Sequence, residues 1–117
     1  MDATNVRPQK WFQDKTYPIK VLFDDGDYSI IWGKFENNIA MGVRWNGGDV
    51  GYPRQGVYPT WYVEPDFIAI GIIQNILTKA IDKPNCSYYH IENINFALKE
   101  LTRKLISSNK KQHKPDC

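Results

Sequence analysis

Two neighbouring β-rich runs constrain the fold of this chain more than any other feature of its sequence. Residues 28–36 and 39–45 are rich in Ile, Val and aromatic side chains, and only Asn37 and Asn38 separate them. Because asparagine tolerates the left-handed region of backbone conformation, a two-residue turn at this point predicts an antiparallel β-hairpin.

This turn sets an expected register for the hairpin. With Asn37 and Asn38 as the turn, Glu36 pairs with Ile39, and Gly33 lies directly opposite Gly42. Facing glycines leave bare backbone, which either packing within the molecule fills or a ligand approaches closely. Arg44 lies on the same face as the two glycines. The other face is a dense apolar surface suited to a core, made of Ile30, Trp32, Met41, Val43 and Trp45.

Weaker signals extend the hairpin into a small α+β domain. Residues 19–23 form a β-rich run before the turn at 24–27, and residues 60–63 are a candidate fourth strand. Helical periodicity predicts one helix from Pro65-Asp66, with Asp66 as N-cap, to about Asp82, and a second that starts between Ser87 and Asn93. The predicted fold is α+β: an antiparallel three- to four-stranded meander followed by two C-terminal helices packed on one face.

Each predicted helix carries an apolar stripe. The first stripe consists of Ile73, Ile76, Leu77, Ala80 and Ile81, and the second of Ile91, Ile94, Leu98, Leu101 and Leu105. We expect both stripes to pack in the core of one protomer. A homodimer that uses the second stripe as its seam is the alternative, although two heptads are too few for a coiled coil.

The 117 residues suit a single domain, 1–117, with one hydrophobic core. Its composition, 42% apolar and 24% charged, is that of an ordinary globular protein and argues against disorder. Residues 1–16 are polar and predict an irregular N-terminal arm, in which Trp11 and Phe12 are the candidate anchors. Residues 107–117 predict a frayed basic tail.

Cysteine usage and hydropathy bear on the cellular compartment. Cys86 and Cys117 do not make a disulfide framework, and no apolar signal region follows Met1. The most apolar segment, residues 67–81, is too short to span a membrane and is interrupted by polar side chains. These features favour a cytoplasmic protein with no membrane partner.

Motifs for catalysis or metal binding are weak in this chain. Asp24, Asp25 and Asp27 could attract a divalent cation, but a hairpin turn uses the same residues for backbone reasons. His90 and His113 are too few and too poorly placed for a histidine site. The sequence lacks a nucleophile elbow, a Walker A motif and a dinucleotide fingerprint. We therefore expect no catalytic residue, no metal and no cofactor.

The segment 44–64 is the best candidate for a functional site. It is crowded with Gly and Pro, which fix irregular backbone, and with the Trp, Tyr and Arg side chains that are enriched at recognition surfaces. We expect a non-catalytic binding or interaction module for a protein or small-molecule ligand, although the sequence leaves open whether these rings face outward or fill a secondary core. The candidate binding residues are Arg44, Trp45, Tyr52, Arg54, Tyr58, Trp61, Tyr62 and Glu64.

Two further functions stay open. The formal charge is only +2, yet residues 99–114 carry six cations against Glu100, so a basic helix end with exposed rings could bind nucleic acid. A solvated helix end explains the same cations. The second function is that of a small enzyme with Glu64 as its acid or base, since Glu64 has charged neighbours along the chain.

The central segment also carries a recognisable pattern of residues. Arg44-Trp45-Asn46-Gly47, Gly51-Tyr52-Pro53, Gly56, Pro59 and Trp61 precede an acidic helix start at Asp66. This pattern resembles small uncharacterised bacterial proteins that occur on phages, plasmids and integron cassettes, and it covers about the middle third of the chain. The resemblance implies a mobile-element setting and assigns no catalytic residue.

Overall fold

A four-stranded antiparallel sheet with two helices on one face forms the fold of residues 16–111, the part of the chain that the computed structural model describes, with side chains described to residue 108. The strands are β1 (Lys20–Asp24), β2 (Tyr28–Phe35), β3 (Asn38–Trp45), β4 (Arg54–Gln55), β5 (Tyr58–Pro59) and β6 (Tyr62–Glu64), and the helices are α1 (Asp66–Asp82) and α2 (Ile91–Lys111). The sheet order is β1-β2-β3-β6, and β4 and β5 form a separate small hairpin. The α+β prediction, with its strands before two C-terminal helices, is confirmed.

The register of the central hairpin differs from the expected one. Its turn residues are Glu36 and Asn37, whose φ angles of 48° and 72° are both left-handed. As a result Gly33 pairs with Ala40 and Gly42 pairs with Ile31, so the predicted facing glycines were wrong. Left-handed backbone at a glutamate is unfavourable, but this register aligns a full set of large cross-strand pairs along the ladder. Because each pairing moves by two residues, the two faces keep their predicted side chains.

The main core lies between the sheet and the two helices. From the sheet it receives Leu22, Ile30, Trp32, Met41 and Val43, and from the helices Ala69, Ile73, Ile76, Ala80, Ile94, Ala97 and Leu101. Alanine occupies three of the seven helical positions in this core. Trp45 belongs to the same face of β3 but is exposed, because it lies at the end of the strand.

Both helices differ from the prediction in detail. Pro65 is the N-cap of α1, and Asp66 is the first helical residue instead of the predicted cap. Ile81, which we expected in the buried stripe of α1, is exposed. The stripe of α2 packs in the core through Ile94 and Leu101, but its first residue, Ile91, is exposed. This helix continues to Lys111, past the predicted start of fraying at residue 107; Trp11, Phe12 and residues 112–117 lie outside the described part of the chain.

The opposite face of the sheet has a smaller core of its own. Ile31, Ala40 and Trp61 are buried there, with Ile19, Val21, Phe35 and Val63 packed around them. Trp61 immediately precedes β6 and comes from the irregular segment that follows β3. The segment between β3 and β6 therefore supplies the ring that covers this face of the sheet.

The two edges of the sheet differ in what lies against them. Residues 88–90 close the β1 edge, because Asp24 N donates to Tyr88 O and His90 N donates to Leu22 O, both at 3.0 Å. The other edge is the short strand β6, which ends at Glu64 and is followed by Pro65. Neither helix among residues 16–111 is both long and apolar enough to cross a membrane.

Candidate functional site

Arg44 is buried and organises the segment that follows it. Only 1% of its surface is exposed, and burial lowers the pKa of its guanidinium. Nε donates to Asn46 Oδ1 at 2.9 Å, and the two terminal nitrogens donate to the carbonyl oxygens of Val50, Pro53 and Thr60. These acceptors are neutral oxygens spread over the whole segment. One side chain thus fixes the path of residues 46–60 by satisfying backbone groups that turn inward.

Asn46 connects this arginine to the sheet. Its Nδ2 donates to Ser29 Oγ at 2.7 Å, and its backbone N donates to Asp27 O at 2.8 Å. Ser29 lies directly opposite Arg44 in the β2-β3 ladder, so both polar side chains start from the same face. All three polar residues are buried and hydrogen-bonded, so this network anchors the start of the segment to the sheet.

Trp61 completes the support under the segment. It is 1% exposed, and the Arg44 guanidinium carbon lies 5.8 Å from the centroid of its ring. A guanidinium near an aromatic face gains a cation–π attraction, which is larger where water is excluded. Arg44 and Trp61 are therefore supporting residues, and neither is accessible to a ligand.

The helix side of the sheet ends in a row of aromatic rings. Trp45 pairs with Tyr28 on one side and forms an antiparallel bridge with Tyr52 on the other. Backbone hydrogen bonds of 2.7 and 2.8 Å join Trp45 and Tyr52. Directly opposite residues in antiparallel backbone point to one face, so these three rings lie in a row across β2, β3 and the bridge at Tyr52. Tyr62, opposite Val43, is one pair further along that face. We call Tyr28, Trp45, Tyr52 and Tyr62 the aromatic platform.

The platform is open to solvent in spite of its apolar character. Trp45 is 58% exposed, Tyr52 69% and Tyr62 54%, whereas Tyr28 is half-buried beneath Trp45. The rings of Tyr28 and Trp45 pack edge to face, with centroids 4.6 Å apart. Such a contact fixes the orientation of the exposed indole and contributes about 1 kcal/mol beyond its area. The platform is consequently a set of rings on a rigid strand base.

Carboxylates outnumber cations at the end of the molecule where the platform lies. The phenol of Tyr28 has a raised pKa, first because of burial and second because of the nearby charge of Glu64. Asp25 Oδ1 accepts from the backbone N of Tyr28 at 2.8 Å. The segments that build this end of the molecule, residues 24–28 and 44–64, carry five carboxylates against two cations, the exposed Arg54 and the buried Arg44. The local field therefore favours positive ligands.

The remaining candidate residues lie on the small β4-β5 hairpin. Arg54 pairs with Pro59, Gln55 pairs with Tyr58, and the turn between them contains Gly56 with φ 63°. Arg54 and Tyr58 are both exposed. In sequence they lie between Tyr52 and Tyr62, two residues of the platform. Their hairpin is a separate sheet and does not belong to the ladder that carries the platform.

Sequence reasoning missed three residues of this site. Tyr28 escaped because the expected register did not pair it with Trp45, and Ser29 and Asn46 escaped because nothing local marks them as buried partners of Arg44. Alternation in β2 does place Tyr28 on the same face as Ile30 and Trp32. This alternation of side chains was the signal from which Tyr28 could have been assigned to the site.

Other candidate chemistry has structural explanations. Asp24 Oδ1 accepts from Gly26 N, and Asp25 Oδ1 accepts from Asp27 N, each at 2.9 Å, so two of the turn aspartates bond to the backbone of their own turn. Within residues 16–111, no group of three or more His, Cys, Asp or Glu could hold a metal ion. An open groove on α2 contains no residue of 44–64; it is lined by Leu98, Lys99, Thr102, Arg103, Ile106 and Ser107.

Comparisons with known proteins leave the site to be interpreted from its own geometry. No family model matches the chain, and no curated protein or solved structure matches it either. The likeness to mobile-element proteins stays a prediction.

Proposed function

We propose that this protein is a non-catalytic binding module and that the aromatic platform is its contact surface. The observation that carries the proposal is the exposure of Trp45, Tyr52 and Tyr62 on one face of a hydrogen-bonded ladder. Exposing several rings together to water is unfavourable and does not stabilise the fold. Such apolar patches mark interaction sites. Arg54 and Tyr58 of the adjacent hairpin are candidate flanking contacts.

The support beneath the rings strengthens this proposal. Arg44 and Trp61 hold the segment that contains Tyr52, so the platform does not have to be ordered when a ligand binds. A preorganised surface loses less conformational entropy on binding. Large rings with few rotatable bonds act in the same direction.

The two alternative functions receive less support. Among the α2 cations expected to contact nucleic acid, Lys104 pairs with Asp66 at 2.9 Å and Arg103 with Glu100 at 3.2 Å. The exposed rings lie instead among carboxylates, which repel a phosphate backbone. For the enzyme alternative, Glu64 has Tyr28 as a titratable neighbour but no described residue around it completes a recognisable catalytic set.

Selection from a random peptide library displayed on phage tests the proposal. Peptides enriched on the wild-type protein are synthesised, and their affinities are measured by isothermal titration calorimetry. We expect Trp45→Ala and Tyr62→Ala each to weaken binding by about tenfold, the usual loss for a central aromatic contact.

Tyr88→Ala is the matched control. Tyr88 is an exposed tyrosine, 48% against 54% for Tyr62, and it lies at the opposite edge of the sheet. Equal losses in the Tyr62 and Tyr88 variants, or enriched peptides that bind all variants alike, would remove the platform from the binding surface.

A further inference from the structure

We infer that the aromatic platform recognises arginine side chains in an extended basic segment of a partner protein. This inference rests on the proposed function and adds the chemistry of the occupant. It stands on two observations that are independent of each other: exposed rings on a hydrogen-bonded ladder, and an excess of carboxylates in the elements that build this end of the molecule.

The charge around the rings selects a cation. Glu64 is in β6 on the same face as Tyr62, two residues along the strand, and Asp25 and Asp27 precede Tyr28. A cation over Trp or Tyr is attracted by the ring quadrupole, and the carboxylates add to this attraction. An anionic or nucleic-acid ligand would meet the same carboxylates unfavourably.

The shape of the platform favours arginine over a small cation. Rings in neighbouring strands repeat at about 4.8 Å, so the row of three covers about 10 Å and forms an open surface without an enclosing cage. A planar guanidinium stacks flat on an open ring and still reaches a carboxylate with its N–H groups. Alternate side chains of an extended peptide lie about 7 Å apart. This is close to the spacing along β3 between Trp45 and Val43, the residue opposite Tyr62. Two arginines separated by one residue therefore match the platform.

The test uses a Gly-Ser peptide that carries two arginines separated by one residue. Its binding is followed in solution by the indole ¹⁵N–¹H signal of Trp45, which Trp45→Phe assigns. The matched probe replaces both arginines by citrulline, which keeps the shape and removes the charge. A lysine peptide, a glutamate peptide and a thymidine oligonucleotide complete the set.

We expect the arginine peptide to shift the Trp45 signal and to bind more weakly as ionic strength rises. The citrulline peptide should bind about tenfold less tightly, and Glu64→Gln should weaken the arginine peptide by about fivefold without affecting the citrulline peptide. Tyr88→Ala should leave all affinities unchanged.

The results separate the two proposals. Equal binding of the citrulline and arginine peptides, or stronger binding of the glutamate peptide or the oligonucleotide, overturns the inference about arginine. Preference for lysine does so as well. If library peptides bind through Trp45 while the arginine peptide does not, the binding module stands and only the occupant is wrong. If no peptide of either kind depends on Trp45, both proposals fail.

Discussion

At the scale of single residues, Arg44 has the largest effect on the path of the chain, because its guanidinium bonds to backbone carbonyls that regular secondary structure would otherwise pair. Residues 46–60 contain only the two-residue strands β4 and β5, yet the carbonyls of Val50, Pro53 and Thr60 all have the same guanidinium as donor. A buried charge is costly unless its hydrogen bonds are made. The fold meets this cost by bringing backbone carbonyls to Arg44, and so the charge dictates the course of the chain.

Gly51 shows how tightly the chain wraps around Arg44. Its φ is +69°, and a Cβ at this position would collide with Trp45 O and with the Arg44 guanidinium. We expect Gly51→Ala to lower the free energy of unfolding by about 3 kcal/mol, from backbone strain and the collision together. Urea unfolding followed by fluorescence measures the change.

Gly48→Ala is the control for this prediction. Gly48 has a similar φ of +72°, but a Cβ there meets no atom within 4 Å. It should cost only the strain, about 1 kcal/mol. Equal losses in the two variants would show that the close approach of Gly51 to Arg44 contributes nothing.

At the scale of elements, Tyr17 joins the sheet to α2. Its hydroxyl donates to Glu100 Oε1 at 3.1 Å and accepts from Nε1 of the fully buried Trp32 at 3.0 Å. Lys104 makes a second connection, since its Nζ donates to Ile39 O at 2.9 Å. These polar contacts fix how α2 lies across strands whose apolar side chains alone would allow it to slide.

Tyr17 should make the stability of the protein sensitive to alkaline pH. Burial, together with Glu100, raises the pKa of Tyr17 to about 12, above its ordinary value of about 10. The unfolded chain then loses this proton at a lower pH than the folded protein. Tyr17 therefore stabilises the fold fully below pH 10 and progressively less as the pH rises to about 12. Tyr28 contributes in the same direction.

Tyr17→Phe tests this expectation by urea unfolding between pH 7 and 12. At pH 7 the variant should lose about 1–2 kcal/mol, because the indole N–H of Trp32 is left buried without its acceptor. Above pH 10 its stability should fall less steeply than that of the wild type. Parallel curves for the two proteins would show that the hydroxyl of Tyr17 is not held neutral by the fold.

At the scale of the whole molecule, the sheet has a core on each face. The main core joins sheet and helices, whereas the smaller one depends on Trp61 and on a segment held by polar contacts. Regions with fewer buried apolar contacts open at lower free energy than the global transition. The molecule should therefore contain two units of different local stability, and the platform lies where they meet.

Native-state hydrogen exchange tests this division. The amides of Tyr52 and Thr60, bonded to Trp45 O and Pro53 O, should exchange before the paired amides of β2 and β3. Arg44→Met should accelerate exchange at these two amides by about a hundredfold or more, since a buried network is lost, while the paired strands remain the slowest part of the molecule. Simultaneous exchange of both groups in the wild type would mean that the molecule opens as one unit.

Much of the fold followed from local pattern. The α+β class, the helix of residues 66–82 and the division of side chains between the faces of β2 and β3 were predictable, since each depends on a periodicity of two or 3.6 residues along the chain. The turn at Glu36 and Asn37 was not, because the cross-strand pairs that favour it involve residues up to 17 positions apart, from Phe35 with Asn38 to Tyr28 with Trp45.

The candidate site was also predictable from the sequence only in part. The sequence by itself marked segment 44–64 by its aromatic and Gly/Pro content, because such composition does not depend on how the chain closes. Only the tertiary structure decided that Arg44 and Trp61 face inward while Trp45, Tyr52 and Tyr62 face solvent. Burial is a property of contacts between distant residues, and here the arginine, which a sequence places on the surface by default, is buried because the chain brings backbone carbonyls to it.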